Sequence, residues 1–190
     1  MTTVLWVVCT VVICIACFLC LWRSRGAIAV QAERASRPEA LFDAKLVYME
    51  KLFRVFKPVG LVAKLDRAYR TPSGLIVLVE LKCRWINRPF LSDVIQLSVQ
   101  KMAVEGQTGQ TVSSFGYVVV KAPSKRTLQT AHRVELMPDE DVIALVRRRD
   151  EILARRITPR YSESQKMCQA CAFRSQCDRP KSRAGSTPGL

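Results

Sequence analysis

The chain has 190 residues, 49% of them hydrophobic, and a formal net charge of +14. That length leaves room for one domain of ordinary size plus an appendage, and the apolar content excludes a chain too polar to bury a core. Met1–Trp22 contains no Asp, Glu, Lys or Arg, so the whole positive excess falls on the remainder, which should be drawn to polyanions such as nucleic acid or an anionic membrane surface.

In Val4–Trp22 the only polar side chain is Thr10, and at about 1.5 Å per residue a helix of that length nearly crosses a bilayer core. A transmembrane anchor over residues 1–25 is the expectation. A secretory signal peptide is the rival, with Ala27-Ile28-Ala29 imitating a cleavage site, but the leading MTT lacks the usual basic residue. Arg23 and Arg25 follow the apolar run directly, which by the positive-inside rule predicts a single pass through the inner (cytoplasmic) membrane with the C-terminal bulk in the cytoplasm. Of the eight cysteines, Cys9, Cys14, Cys17 and Cys20 lie inside this apolar stretch, so a disulfide framework is not expected.

Residues 26–38 are small and polar and read as a tether. Glu39–Phe56 places Leu41, Phe42, Lys45, Leu46, Met49, Leu52, Phe53 and Phe56 largely at helical spacing and predicts an amphipathic helix ended by Pro58 and Gly60. Gly60–Ala68 and Gly74–Cys83 are apolar, partly β-branched runs separated by a turn sequence containing Pro72 and Gly74, which predicts a β-hairpin. A helix over Leu91–Glu105, a buried strand over Phe115–Val120, a further strand over His132–Leu136 and an acidic-start helix from Pro138 to about Arg156 complete the order. The last of these ends in Arg147, Arg148, Arg149, Arg155 and Arg156, candidate phosphate contacts that would equally suit a solvated face or anionic lipid headgroups. Residues 179–190 read as a disordered basic tail.

The chemistry concentrates in the hairpin. Asp66 lies on its first strand, and Glu80, Leu81 and Lys82 on its second. Side chains two apart on a strand share a face, so Glu80 and Lys82 point the same way, and a cross-strand Asp66 can join them. Two carboxylates with the Leu81 backbone carbonyl make a hard-oxygen donor set for Mg²⁺ or Mn²⁺. Such an ion lowers the pKa of bound water, and Lys82 would position the attacking water and offset transition-state charge in phosphodiester hydrolysis. An ordinary cross-strand ion pair is the plain alternative for any Glu-x-Lys.

The arrangement GLVAKLDRA, VELK and DVIQLSVQ resembles the PD-(D/E)XK nuclease superfamily, and in particular its RecB-like branch. The resemblance implies an α/β fold with a mixed central sheet flanked by helices, restriction-endonuclease-like, over residues 39–160. It also implies a catalytic role for Gln96, with Gln100 standing where that branch's Q-x-x-x-Y motif has Tyr. The array Cys168, Cys171 and Cys177, within residues 161–178, is similar to the terminal cluster of CRISPR-associated RecB-like exonucleases, which implies a [4Fe-4S] cluster, with zinc the other ligand that such thiolates suit. In those relatives a fourth cysteine precedes the nuclease motifs, whereas here none occurs between Cys20 and Cys83. The expected function is a membrane-anchored nuclease acting on DNA, single- or double-stranded. The alternatives are a catalytically inactive nuclease-fold subunit that binds DNA or assembles at the membrane, and a metal or redox sensor built on the three cysteines.

Overall fold

The computed structural model describes residues 30–31, 33–123, 129–162 and 164–177, with isolated positions among the first 18. The expected anchor at 4–22 lies, apart from those isolated positions, outside the described residues, as does the tail at 179–190. No helix among the described residues is long and apolar enough to cross a membrane. The chain divides into two compact units, residues 1–144 and 145–190.

The first unit is built on one five-stranded sheet in the order β1-β2-β3-β4-β5. Its strands are β1 (Lys45–Val55), β2 (Leu61–Arg70), β3 (Ile76–Cys83), β4 (Phe115–Lys121) and β5 (Gln129–Glu135). All neighbours run antiparallel except β3 and β4. That one parallel pair needs a crossover, which helix α1 (Leu91–Thr108) supplies. The architecture is therefore the mixed α/β sheet expected from the sequence. The β2–β3 hairpin closes through Thr71, whose N–H donates to the Leu75 carbonyl, and Gly74, which sits at φ +90° where an L side chain would be strained.

Helix α1 packs on β1, β2 and β3. The approach is close at Gly106, where a Cβ would come within 2.6 Å of Val55 Cγ2. A second apolar layer, Leu41, Ala44, Tyr69, Val77, Val79, Tyr117 and Val119, fills a separate core cluster. Residues ahead of β1 contribute there: Glu33, buried within the segment read as a tether, accepts a hydrogen bond from Tyr69 Oη at 2.6 Å and a bidentate pair from Arg37 at 2.9 Å. Burial, and then the bond to Glu33, push the Tyr69 hydroxyl up to about 12.

The helix expected over Glu39–Phe56 is not formed. Only Glu39–Leu41 makes a short 3₁₀ turn, and Lys45–Val55 is strand β1, paired with β2 from Lys45–Arg70 to Val55–Leu61. Four apolar members of the supposed helical stripe, Phe42, Met49, Leu52 and Phe56, are exposed, while Phe53 and Val55, two apart, are buried. The segment is rich in residues that suit a pleated surface, and pairing with β2 decides its state. The Pro138 to Arg156 helix forms as α2 (Asp139–Leu153).

In the second unit, Arg147, Arg148, Arg149, Arg155 and Arg156 are all exposed. Two of them are committed to local pairs, Arg149 with Asp150 at 3.1 Å and Arg156 bidentate with Glu151 at 2.7 and 2.8 Å. A short helix α3 (Gln165–Gln169) begins at Ser164, whose side chain accepts the Met167 N–H. Cys168 lies in this helix and is half-buried, and Cys171 and Cys177 are exposed.

Candidate active site

The site begins with a break in the sheet. In the first half of β2 the buried residues alternate strictly, Leu61, Ala63 and Leu65, and the alternation stops at Asp66 and Arg67. Pairing of β2 with β3 runs from Arg70–Ile76 to Arg67–Val79 and goes no further, one step short of Asp66 and Glu80. On the other side, Glu50 of β1 stands between the Lys51–Leu65 and Met49–Arg67 pairs with φ +50°, a conformation costly for a non-glycine residue. The strands part where the two carboxylates lie. Asp66 Oδ2 takes up the Leu81 N–H at 2.8 Å, so the backbone donor freed by the parting is satisfied by the carboxylate itself.

Glu80 is 3% exposed. Its Oε1 accepts from Lys82 Nζ at 2.8 Å and from Gln96 Nε2 at 2.7 Å, and its Oε2 accepts from Gln100 Nε2 at 2.9 Å. Lys82 Nζ also donates to Gln96 Oε1 at 2.8 Å. Burial pushes the Glu80 carboxyl above the ordinary carboxylate range. Hydrogen bonds from Lys82 and Gln100 oppose the shift, and the Asp66 charge adds to it. Glu80 therefore feels too little positive charge from the protein alone, and Asp66 is near enough to make matters worse.

Asp66, Glu80, Lys82 and Gln96, singled out from sequence, are thus brought together. Two further polar residues belong to the same network. Gln100 is 1% exposed, donates to the Lys64 carbonyl at 3.1 Å as well as to Glu80, and has an Oε1 with no partner among the described residues. Its signal in the sequence was its spacing, one helical turn after Gln96. Asp93 caps α1 by accepting the Phe90 N–H at 2.8 Å, holds Arg84 at 2.6 and 3.2 Å, and lies 3.9 Å from Lys82 Nζ. Burial alone would raise the Asp93 carboxyl, but the bonds from Arg84 and Phe90 bring it below its ordinary value. Nothing in the local sequence marks Asp93 as more than a helix-start acid. His132, the one histidine, lies on β5 and bonds Asn87 Oδ1 at 2.9 Å.

Among the described residues no three of His, Cys, Asp and Glu gather as a metal-holding group, and this includes the cysteine array. The hairpin offers two carboxylates and a backbone carbonyl. That donor set fits Mg²⁺ or Mn²⁺, ions that are commonly held through one or two carboxylates with water filling the other positions. The raised Glu80 carboxyl beside Asp66 fits a cation as well.

The family model for the PD-(D/E)XK nuclease superfamily matches residues 18–178. Comparison with curated proteins found no match. Solved structures that match include the "Crystal structure of SSO0001", 15% identical, with a TM-score of 0.45 and an alignment covering 71% of this chain. This chain spans 58% of the length of that one.

Proposed function

The chain belongs to the PD-(D/E)XK nuclease superfamily, and from that premise we propose that it is a metal-dependent nuclease that hydrolyses DNA phosphodiester bonds, with Asp66, Glu80 and Lys82 as its working groups. One observation carries the reading: a buried Glu80, its carboxyl held above the ordinary range, shares a parted strand pair with Asp66 and is gripped by Lys82. Asp66, Glu80 and the Leu81 carbonyl would hold the ion, which when bound supplies Lewis acidity and an activated water. Lys82, 25% exposed at its side chain, can turn from Glu80 toward an incoming phosphate, and Gln96 limits where it turns by bonding both partners. We place the chain in the RecB-like branch on the order of its motifs, and we keep the membrane anchor at 4–22 and a metal on Cys168, Cys171 and Cys177 within the proposal on sequence alone.

The second reading is an inactive nuclease fold that binds DNA or assembles at the membrane. It is favoured by the hydrogen bonds Glu80 already makes, two at Oε1 and one at Oε2, all to groups of the protein itself. Cleavage of single- and double-stranded DNA by the full chain in Mg²⁺ or Mn²⁺, beside Glu80→Ala and Lys82→Ala, separates the two. Cutting by the parent and silence from both folded variants supports the nuclease; an inert parent, or variants that cut equally, removes it.

A further inference from the structure

The loop that leaves β3 presents a tryptophan to solvent immediately beyond the candidate site. Trp85 is 71% exposed and Ile86 55%, two adjacent large apolar side chains at the tip of the loop. Trp85 follows Lys82 by three residues, which keeps their Cα atoms within about 10 Å. The loop is nonetheless tightly held. The Arg84 N–H donates to the Lys121 carbonyl at 3.0 Å, and the Arg84 guanidinium is clamped by Asp93 at 2.6 and 3.2 Å. Asn87 is fixed from two sides on β5, donating to Thr130 Oγ1 at 2.9 Å and meeting His132 Nε2 at 2.9 Å. Phe90 is covered by the guanidinium of Arg84 at 4.1 Å. Every side chain named here is anchored except the two apolar ones at the tip.

The surroundings choose the partner. Residues 84–90 contain no acid; Arg88, exposed, follows Trp85 by three residues with its guanidinium 5.4 Å from the Phe90 ring, and Lys121, also exposed, adjoins the start of the loop, its carbonyl accepting the Arg84 N–H. An exposed aromatic side chain on an anchored, basic loop, one strand-end away from a phosphodiester-cleaving site, matches a nucleic-acid strand whose phosphates lie on the cations while an unpaired base lies on the ring. A base inside a duplex is already stacked on both faces and has none to offer. We propose that Trp85 is a base-stacking platform through which this chain engages single-stranded nucleic acid, or the unpaired end of a duplex, beside the Glu80 site; the inference rests on the nuclease reading of that site. Arg88 and Lys121 hold the adjoining phosphates, and Asn87, tied to His132 and Thr130, keeps the platform from folding back.

The test measures binding of the full chain, in EDTA and at one salt concentration, to a labelled single-stranded thymidine oligonucleotide and to a blunt duplex of equal length. Trp85→Ala and Trp85→Leu should weaken single-strand binding by about 5- to 100-fold, with Trp85→Phe within about 3-fold of the parent and duplex binding unchanged. The Phe and Leu variants bury similar area, so the difference between them reads stacking even if loss of the indole alters the melting curve. Equal single-strand affinity across the series, or an equal loss on both DNAs, overturns the inference. So does a fall in the mass of the DNA-free particle on Trp85→Ala, which would make the patch a contact between two copies. Because binding is read without metal, it is independent of cutting. A chain that binds through Trp85 and never cuts loses the nuclease reading and keeps this one, whereas a chain that cuts with binding indifferent to Trp85 does the reverse.

Discussion

Gln100 Nε2 lies 2.9 Å from Glu80 Oε2, and it is the partner of that oxygen on the helix side of the site. Removing the amide leaves a buried carboxylate oxygen without a donor, at a cost of about 1–3 kcal/mol. Gln100→Leu should therefore lower the denaturant midpoint and raise the Glu80 carboxyl further. Mn²⁺ affinity, followed by calorimetry, should fall by roughly 10-fold, as for other residues that orient a metal ligand. Unchanged affinity in a folded Gln100→Leu protein would show that Glu80 needs no orienting partner.

The Glu80 carboxyl titrates above its ordinary value, chiefly through burial. For an acid raised in the folded state, the stabilising contribution is complete below the unfolded-state pKa and is lost as pH rises through the folded one. The metal-free chain should thus lose stability on going from acid toward neutral pH at this group. Added Mg²⁺ should restore it, with protons competing with the ion at the acid end. Thermal melts across pH 4–7 with and without Mg²⁺ check both signs; parallel curves with no metal-induced gap at neutral pH would show that the cation does not bind here.

Much of this site was legible because its signals are local. A turn sequence between two β-branched runs placed Asp66 across from Glu80, and strand alternation placed Lys82 on the Glu80 face. Strand β1 was not legible, because its apolar residues satisfy a helical and an extended spacing at once, and only pairing with β2 decides between them. Asp93 was missed as a site residue for a different reason, and Gln100, noted only for standing at the motif's Tyr position, was given no role. A buried polar residue and an exposed one look alike in a sequence, and what identifies these two is a partner on β3. The same holds for Arg149 and Arg156, whose charges are partly spent on Asp150 and Glu151.

Asp93 acts twice, as helix cap and as counterion to Arg84. Asp93→Ala should cost about 2–4 kcal/mol, combining a lost cap with a partly buried guanidinium left unpaired. The Asp93 carboxyl titrates below its ordinary value, so its contribution is present above the unfolded-state pKa and is lost as pH falls through the folded one. The penalty measured by urea unfolding should accordingly be largest near neutral pH and shrink toward pH 3. A penalty that does not change with pH would mean that shape rather than charge is what Asp93 supplies.

Gly106 offers a test of packing against propensity. In a helix interior, alanine in place of glycine ordinarily gains up to about 1 kcal/mol. Here the new methyl would lie 2.6 Å from Val55 Cγ2, and the stiff β-branched valine at the end of β1 has little room to yield. Overpacking of that kind costs about 1–3 kcal/mol, so Gly106→Ala should be net destabilising despite its better helix propensity. Trimming the obstruction should shrink the penalty: in a Val55→Ala background, where the atom left facing the new methyl is the Cβ of residue 55 at 3.3 Å, Gly106→Ala should cost less than in the parent. Urea midpoints of the two single variants and the double variant decide it, and additive effects would place the cost of Gly106→Ala somewhere other than its contact with Val55.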